Sequence, residues 1–185
     1  MRLNVLKPLA VGILSMTGAI TAAEQTTNLL SSRERAAGFL SELRARLQAA
    51  MAESPIKAIS VCQDEAPEIA QRWSSDGYWV RRSSLRVRNS GNAPTERDLT
   101  TMAHFSARVL AGEPASSIEE FEVYGEGQSR YARALVMEPA CLICHGEKIA
   151  PAITTVLNQR YPDDRATGFD LGGLRGIVVV ELRAP

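Results

Sequence analysis

Hydrophobic positions recur at intervals of three and four along the first half of the chain, a pattern typical of amphipathic helices. The first stripe predicts a helix from residue 32 to about residue 53 and comprises Ala36, Leu40, Leu43, Leu47 and Ala50. Ser54 and Pro55 then supply the N-cap and the first-turn proline of a second helix. This helix runs toward Pro67, which either kinks it or begins another helix.

Along the second half, the pattern changes toward extended structure. The predicted elements are an extended segment (78–87), a helix (95–112), two strands (118–124 and 131–137), a short helix after Pro151 and a last, β-branched strand (176–182). Thr95 is the expected N-cap of the 95–112 helix, and Asp98 occupies the capping-box position. Helices that precede strands of antiparallel type predict an α+β fold.

The first 23 residues have the layout of a secretory signal peptide. Arg2 and Lys7 precede an apolar run from residue 9 to residue 20, which ends in small residues near Ala22 and Ala23. The run is shorter than the ~20 apolar residues that a membrane-spanning helix needs. We therefore expect cleavage, a periplasmic location and no stable membrane insertion of the mature protein. The predicted units are a signal peptide (1–23), an N-terminal helix (24–54) and a C-terminal domain (55–185).

Composition and charge narrow the classes of partner. Apolar residues make up 45% of the 185 positions, which is enough for one packed core. The chain has 21 basic and 21 acidic side chains, so it has no overall field that would attract nucleic acid. We expect no nucleic-acid partner.

The candidate chemistry is concentrated in the pentapeptide Cys141-Leu142-Ile143-Cys144-His145, a CxxCH motif. Two thiols three residues apart can reach the two vinyl groups of one porphyrin, and the adjacent histidine supplies an imidazole nitrogen to the iron. Two alternatives fit the chain less well. A thioredoxin-like redox pair normally follows a strand that opens a βαβ unit, and here the motif lies late in the chain without such a unit. A structural zinc site needs four ligands, and the chain has no second paired motif. The motif therefore predicts one covalently bound haem c, with His145 as an iron ligand.

The ligand on the opposite side of the iron has to lie upstream, because no methionine or histidine follows His145. The candidates are Met51, Cys62, Met102, His104 and Met137. Helix geometry places His104 on a polar face, as expected of a surface histidine, and Met102 on an apolar face, as expected of core filling. Cys62 is the odd thiol of an exported chain and shares an apolar face with Ile59. From the residues alone, an iron ligand and an inert buried cysteine are equally supported for Cys62.

Four short segments occur in a fixed order across most of residues 55 to 182. They are Ala58-Ile59-Ser60-Val61-Cys62 with Ala66-Pro67 and Ile69-Ala70; the run from Val80 to Asn89 with Asn92 and Pro94; the CxxCH motif; and Tyr161-Pro162-Asp163-Asp164 followed by Ala166, Gly168-Phe169, Gly172 and Leu174-Arg175-Gly176. In this order the segments resemble a family of bacterial c-type haem domains with a PAS-like fold, whose type member is a soluble cyanobacterial cytochrome.

The resemblance has consequences for the fold and for the haem ligands. It implies an antiparallel sheet flanked by N-terminal helices, with the haem held against the sheet by the domain 55–185. It also implies that Cys62 binds the iron as a thiolate opposite His145, which favours Cys62 over the other candidates.

A basic run beside the predicted strand supplies candidates for the haem propionates. On a strand, Arg82, Arg86 and Arg88 share one face and Arg81 points to the other. Because a guanidinium pairs with a carboxylate through two parallel hydrogen bonds, we expect Arg82 and Arg86 to bind the propionates. A solvated, charge-balanced strand edge is the alternative.

Three functions are compatible with these features. A thiolate ligand stabilises ferric iron, so release of Cys62 on reduction would open the iron to CO or NO. This favours a haem-based redox or gas sensor that an unknown redox or signalling protein reads. An electron carrier between periplasmic partners is the alternative. A peroxidase-like enzyme needs an open iron and a distal acid–base pair, and we expect no enzymatic activity because the chain has only two histidines.

Overall fold

A computed structural model describes residues 21–125 and 127–184. Its helices are α1 (Ala22–Glu53), α2 (Pro55–Ser60), α3 (Ala66–Trp73), α4 (Glu96–Leu110), α5 (Leu142–His145) and α6 (Pro151–Arg160). Its strands are β1 (Tyr78–Ser83), β2 (Glu119–Gly125), β3 (Gln128–Val136) and β4 (Leu174–Leu182). The strands form one antiparallel sheet in the order β1-β4-β3-β2. The predicted α+β class, an antiparallel sheet flanked by helices, is confirmed.

The central strand β4 is buried on both faces, which explains its continuous β-branched run. Ile177 and Val179 pack with α4 on one face, whereas Val178 and Val180 pack with α1 and α3 on the other. All four side chains have no exposed surface. A strand covered on both sides loses the polar–apolar alternation that marks a half-exposed strand.

Helix α1 is longer than the apolar stripe predicts. It begins at Ala22 rather than near residue 32, because Thr21 and Glu24 form a capping box at its N-terminus. The first turns are polar, so hydrophobic periodicity does not show them. Most of the predicted signal peptide, residues 1–20, lies outside the described residues. Within the described part of the chain, no helix has the length and apolarity needed to cross a membrane.

Helix α4 has the predicted capping box of Thr95 and Asp98, but its predicted apolar face is wrong in part. The predicted face was Leu99, Met102, Ala103, Val109 and Leu110. Leu99 and Leu110 are 43% and 84% exposed, and the buried positions are Asp98, Thr101, Met102 and Phe105. Asp98 points into the protein because it pairs with Arg81 of β1 and Arg130 of β3. A buried ion pair therefore fixes the rotation of the helix.

Strand β1 is shorter than the predicted extended segment, and its end lies close to β4. The strand ends at Ser83, and the chain turns back so that Ser84 N–H donates to Asn92 O at 3.1 Å. A Cβ at Gly176 would lie 2.2 Å from Ser83 O. Only glycine allows this approach, which places the start of β4 directly beside the end of β1.

Candidate functional site

One cavity of about 250 Å³ lies between α1, α2, the ends of β1 and β3, and the segment that carries the CxxCH motif. Its lining is mostly apolar and includes Leu40, Leu43, Leu47, Ile59, Leu135 and Met137. Cys62, Cys141, Cys144 and His145 all line it, although the sequence separates the first from the others by about eighty positions. The structure therefore brings together the four residues that the sequence singles out for iron and porphyrin chemistry.

Cys62 lies in a π-helical segment, Val61–Glu65, that joins α2 to α3. The N–H of Ala66 donates to the Val61 carbonyl, which widens the turn by one residue. Pro67 accounts for the distortion, because it has no N–H and its ring collides with the carbonyl four residues earlier. Such single wide turns are frequent at functional sites. Burial raises the pKa of the Cys62 thiol, and the positive charges of Arg82 and Arg88 act in the opposite direction.

Cys141 ends a short turn, Pro139–Cys141, and the other four residues of the CxxCH motif form the one-turn helix α5. The N–H of Gly146 donates to Leu142 O at 2.9 Å, and a Cβ at position 146 would come within 2.7 Å of that oxygen. Glycine after the motif thus lets the chain leave the helix directly.

The imidazole of His145 is neutral and has a defined tautomer. Its Nδ1 lies 2.6 Å from the carbonyl oxygen of Ala166. A carbonyl oxygen only accepts, so Nδ1 carries the proton and Nε2 keeps its lone pair. Burial, and then the positive charges of Arg88 and Arg175, lower the pKa of His145 to about 3. At neutral pH the ring therefore presents an unprotonated Nε2, the form that binds a metal.

The structure separates the predicted propionate ligands. Arg82 lines the cavity and pairs with no carboxylate of the described residues. Arg86 is not part of the cavity wall: it donates to Thr167 O at 2.7 Å and Gly168 O at 2.9 Å, and its guanidinium stacks 3.8 Å from the centre of the Phe169 ring. The strand alternation that grouped it with Arg82 fails because β1 ends at Ser83.

Sequence reasoning did not assign Arg175 to the site, although this residue belongs to the last of the segments that carry the family resemblance. Arg175 lines the cavity beside Arg82 and Arg88. Its guanidinium donates to Arg86 O at 3.1 Å and to the Ser84 hydroxyl, and to no carboxylate within the described chain. Burial, and then the positive charges of Arg82 and Arg88, lower its pKa to about 10. Only the pairing of β4 with β1 places this residue at the cavity, and that pairing is not visible in local sequence.

The other ligand candidates have different environments. Met51 and Met137 line the cavity. Met102 is fully buried in the core between α4 and the sheet, and His104 is on the exposed side of α4, as their helix positions predict. His145 is therefore the histidine that faces the cavity.

Two hydroxyl groups of the cavity wall have no hydrogen-bond partner among the described residues. They are Tyr161 OH and Ser83 Oγ, and both are buried. Burial raises the pKa of Tyr161 to about 12, so its hydroxyl stays protonated. Orphaned hydroxyls, two arginines without acidic partners and an apolar wall fit a large, flat group that carries two carboxylates. Nowhere in the described ranges do three His, Cys, Asp or Glu side chains converge as a bare metal ion requires.

Comparison with known proteins identifies the family. A family model described as Tll0287-like matches residues 15–183. The chain belongs to the Tll0287-like family. Among solved structures, this chain is similar to the crystal structure of the cyanobacterial heme-protein Tll0287. The TM-score is 0.61 and the sequence identity is 25%, and the match covers 87% of this chain and 95% of that chain. No curated protein matches. The resemblance predicted from the short motifs is confirmed.

Proposed function

We propose that this chain is an exported monohaem c-type cytochrome, with its haem in the cavity described above. The observation that carries the proposal is the convergence of all three cysteines and of His145 on one cavity. The structural relative Tll0287 is a cyanobacterial heme-protein, and its similarity extends over most of both chains.

Cys141 and Cys144 are the residues that we assign to covalent attachment. Each thiol would add across one vinyl group, with a C–S bond formed and the thiol hydrogen placed on the neighbouring carbon. No oxidant is needed, so the attached protein gains the full mass of one haem. His145 would bind iron through Nε2, because its Nδ1–H is donated to Ala166 O. Cys62 is the residue that we assign to hold the iron as a second ligand, through its thiolate.

The propionates are assigned to Arg82 and Arg175 rather than to Arg82 and Arg86. Both assigned arginines line the cavity without an acidic partner in the described residues, whereas the donors of Arg86 are used by backbone carbonyls. Two half-buried guanidinium groups without counter-charges are costly, and two carboxylates would compensate them.

The function that we favour is a redox or gas sensor. Haem supplies an iron that changes oxidation state and binds CO or NO when one ligand position is open. Cys62 is the residue assigned to the switch, because it lies on the cavity wall in a π-helical turn, a distortion that is frequent at functional sites. Burial also raises the pKa of this thiol. Reduction of the iron would remove one positive charge beside Sγ and so favour its protonation. An electron carrier is the alternative, and we propose no enzymatic activity.

The decisive variant is Cys62→Ser, with His104→Ala as a control at the exposed histidine. We expect Cys62→Ser to keep the mass of one attached haem and to lose the thiolate signature from the electron paramagnetic resonance (EPR) spectrum of the ferric protein. His104→Ala should change neither. A ferric spectrum unchanged by Cys62→Ser would refute the ligand assignment, and a colourless wild-type protein without added mass would refute the haem.

Sensor and carrier differ in the ferrous state of the wild-type protein. A sensor loses the thiolate signature on reduction and binds CO promptly. A carrier cycles rapidly and reversibly between oxidation states and binds CO slowly or not at all. Optical spectra of the reduced protein, recorded with and without CO, separate the two.

A further inference from the structure

The ion pair of Arg88 with Asp164 joins two of the short segments that carry the family resemblance, and neither residue has been given a role so far. Arg88 is the last arginine of the basic run that begins in β1, and Asp164 ends the Tyr161-Pro162-Asp163-Asp164 segment. Arg88 Nε donates to Asp164 Oδ2 at 2.9 Å. The side chains are only 7% and 8% exposed, so water screens their attraction weakly.

The remaining hydrogen bonds of this pair end on the backbone around His145. Arg88 Nη2 donates to Cys144 O at 2.6 Å and to Ala166 O at 3.3 Å. Asp164 Oδ1 accepts from Ala166 N–H at 2.8 Å. Ala166 is thus held at both its N–H and its carbonyl, and that carbonyl accepts the Nδ1 proton of His145.

We propose that Arg88 and Asp164 are positioning residues that fix the ring orientation and tautomer of His145 by holding the Ala166 carbonyl. Arg88 also holds the last peptide of the CxxCH turn through Cys144 O. Outer partners of this kind set the orientation and basicity of a metal-binding histidine. The inference rests on the proposed function, in which His145 is the iron ligand.

A purely structural ion pair is the competing explanation, because buried pairs often contribute little net stability. The two explanations differ in what a substitution changes. A structural pair affects unfolding alone, whereas a positioning pair also changes the electronic signature of the iron in protein that remains folded.

The chain offers a matched control one residue away. Asp163 is exposed, and Asp163→Asn removes the same charge as Asp164→Asn. Asp164→Asn keeps an oxygen that can accept from Ala166 N–H, while Asp164→Ala removes both contacts. Arg88→Lys keeps the charge but has one donor group in place of the planar fork that reaches three acceptors.

The measurements are made on the haem-loaded protein, after intact mass has shown one attached haem. For Asp163→Asn we expect the wild-type ferric EPR spectrum and midpoint potential. For Asp164→Ala we expect a broadened or split ferric spectrum and a more positive potential, because Arg88 is left without its counter-charge. Asp164→Asn should lie between them, and Arg88→Lys should broaden the spectrum although no charge is lost.

The outcomes separate this inference from the proposed function. Spectra and potential of the Asp164 variants that match those of Asp163→Asn would overturn the positioning role, even with His145 established as the ligand. A ferric spectrum of His145→Ala identical to that of the wild type would overturn the ligand assignment, and the inference with it. If Asp164→Ala does not fold, Asp164→Asn and Arg88→Lys decide the question.

Discussion

Asp98 is the most deeply buried charge on α4, and replacing it by asparagine tests how the helix is anchored to the sheet. Its carboxylate has no exposed surface. It accepts from Arg81 Nη1 at 2.8 Å and Nη2 at 3.0 Å, from Arg130 Nη2 at 2.8 Å, and from Thr95 N–H at 3.0 Å. Arg130 is itself 1% exposed, so it cannot recover hydration if its partner is lost.

The magnitude follows from this burial. Removing one partner of a buried ion pair costs about 3–5 kcal/mol when the remaining charge is left uncompensated. Here Arg130 keeps Glu120 and Arg81 keeps Glu181, each at 3.2 Å, so the loss of compensation is partial. Asparagine still accepts from Thr95 N–H, so the capping contact is retained and the lower end, about 3 kcal/mol, is expected for Asp98→Asn. The control is Asp76→Asn: Asp76 pairs with Arg35 but is 79% exposed, and such pairs contribute at most ~1 kcal/mol.

The assay is urea unfolding followed by circular dichroism at several pH values. Burial alone would raise the pKa of Asp98, but hydrogen bonds from Arg81, Thr95 and Arg130 outweigh it and hold the pKa below its ordinary value. A carboxylate whose pKa is depressed in the folded state stabilises the fold at pH values above its pKa in the unfolded chain, about 3.9. This stabilisation is lost progressively as the pH falls from there toward the folded-state pKa. The difference between wild type and Asp98→Asn should therefore shrink below about pH 4. A neutral-pH difference no larger than that of Asp76→Asn would refute the reasoning.

Two further substitutions test the site and its scaffold. The first is Arg175→Gln in a Cys141→Ala/Cys144→Ala background, in which haem can bind only non-covalently. It should weaken haem binding in an optical titration by about 10–100-fold, the equivalent of the ~1.5–3 kcal/mol of a charged hydrogen bond. The control Arg86→Gln should leave the affinity nearly unchanged, and equal losses in the two variants would reject the propionate assignment. Gly176→Ala should lower the free energy of unfolding by about 1–3 kcal/mol, because its Cβ would meet Ser83 O at 2.2 Å. Gly112→Ala, at a positive φ but in open space, is the control and should cost less.

Local chemistry in the sequence predicts much of this molecule. The capping box of α4, the β-branched strand β4 and the turn at the CxxCH motif each depend on neighbouring residues, and the structure has all three. Cys62 was also recognisable, because an odd thiol on an apolar face needs an explanation. The residues alone left its role open, and the family resemblance favoured it.

Long-range pairing could not be predicted in the same way. Arg175 reaches the cavity because β4 lies beside β1, and Arg86 leaves it because β1 stops at Ser83. The rotation of α4 was misjudged for a related reason. Periodicity assigns charged residues to the surface, whereas Asp98 is buried because its partners are two arginines from distant strands.

The pleat of β1 joins the anchoring of α4 to the haem cavity. Arg81 faces Asp98 on one side of the sheet, and the next residue, Arg82, lines the cavity on the other. Successive side chains of a strand point to opposite faces, so a shift of β1 that frees Arg81 also moves Arg82. The buried ion pair of Asp98 therefore holds, from the opposite face, the strand that presents a guanidinium to the cavity. On this reasoning, weakening the α4 anchor disturbs propionate binding although no residue of the cavity wall has changed.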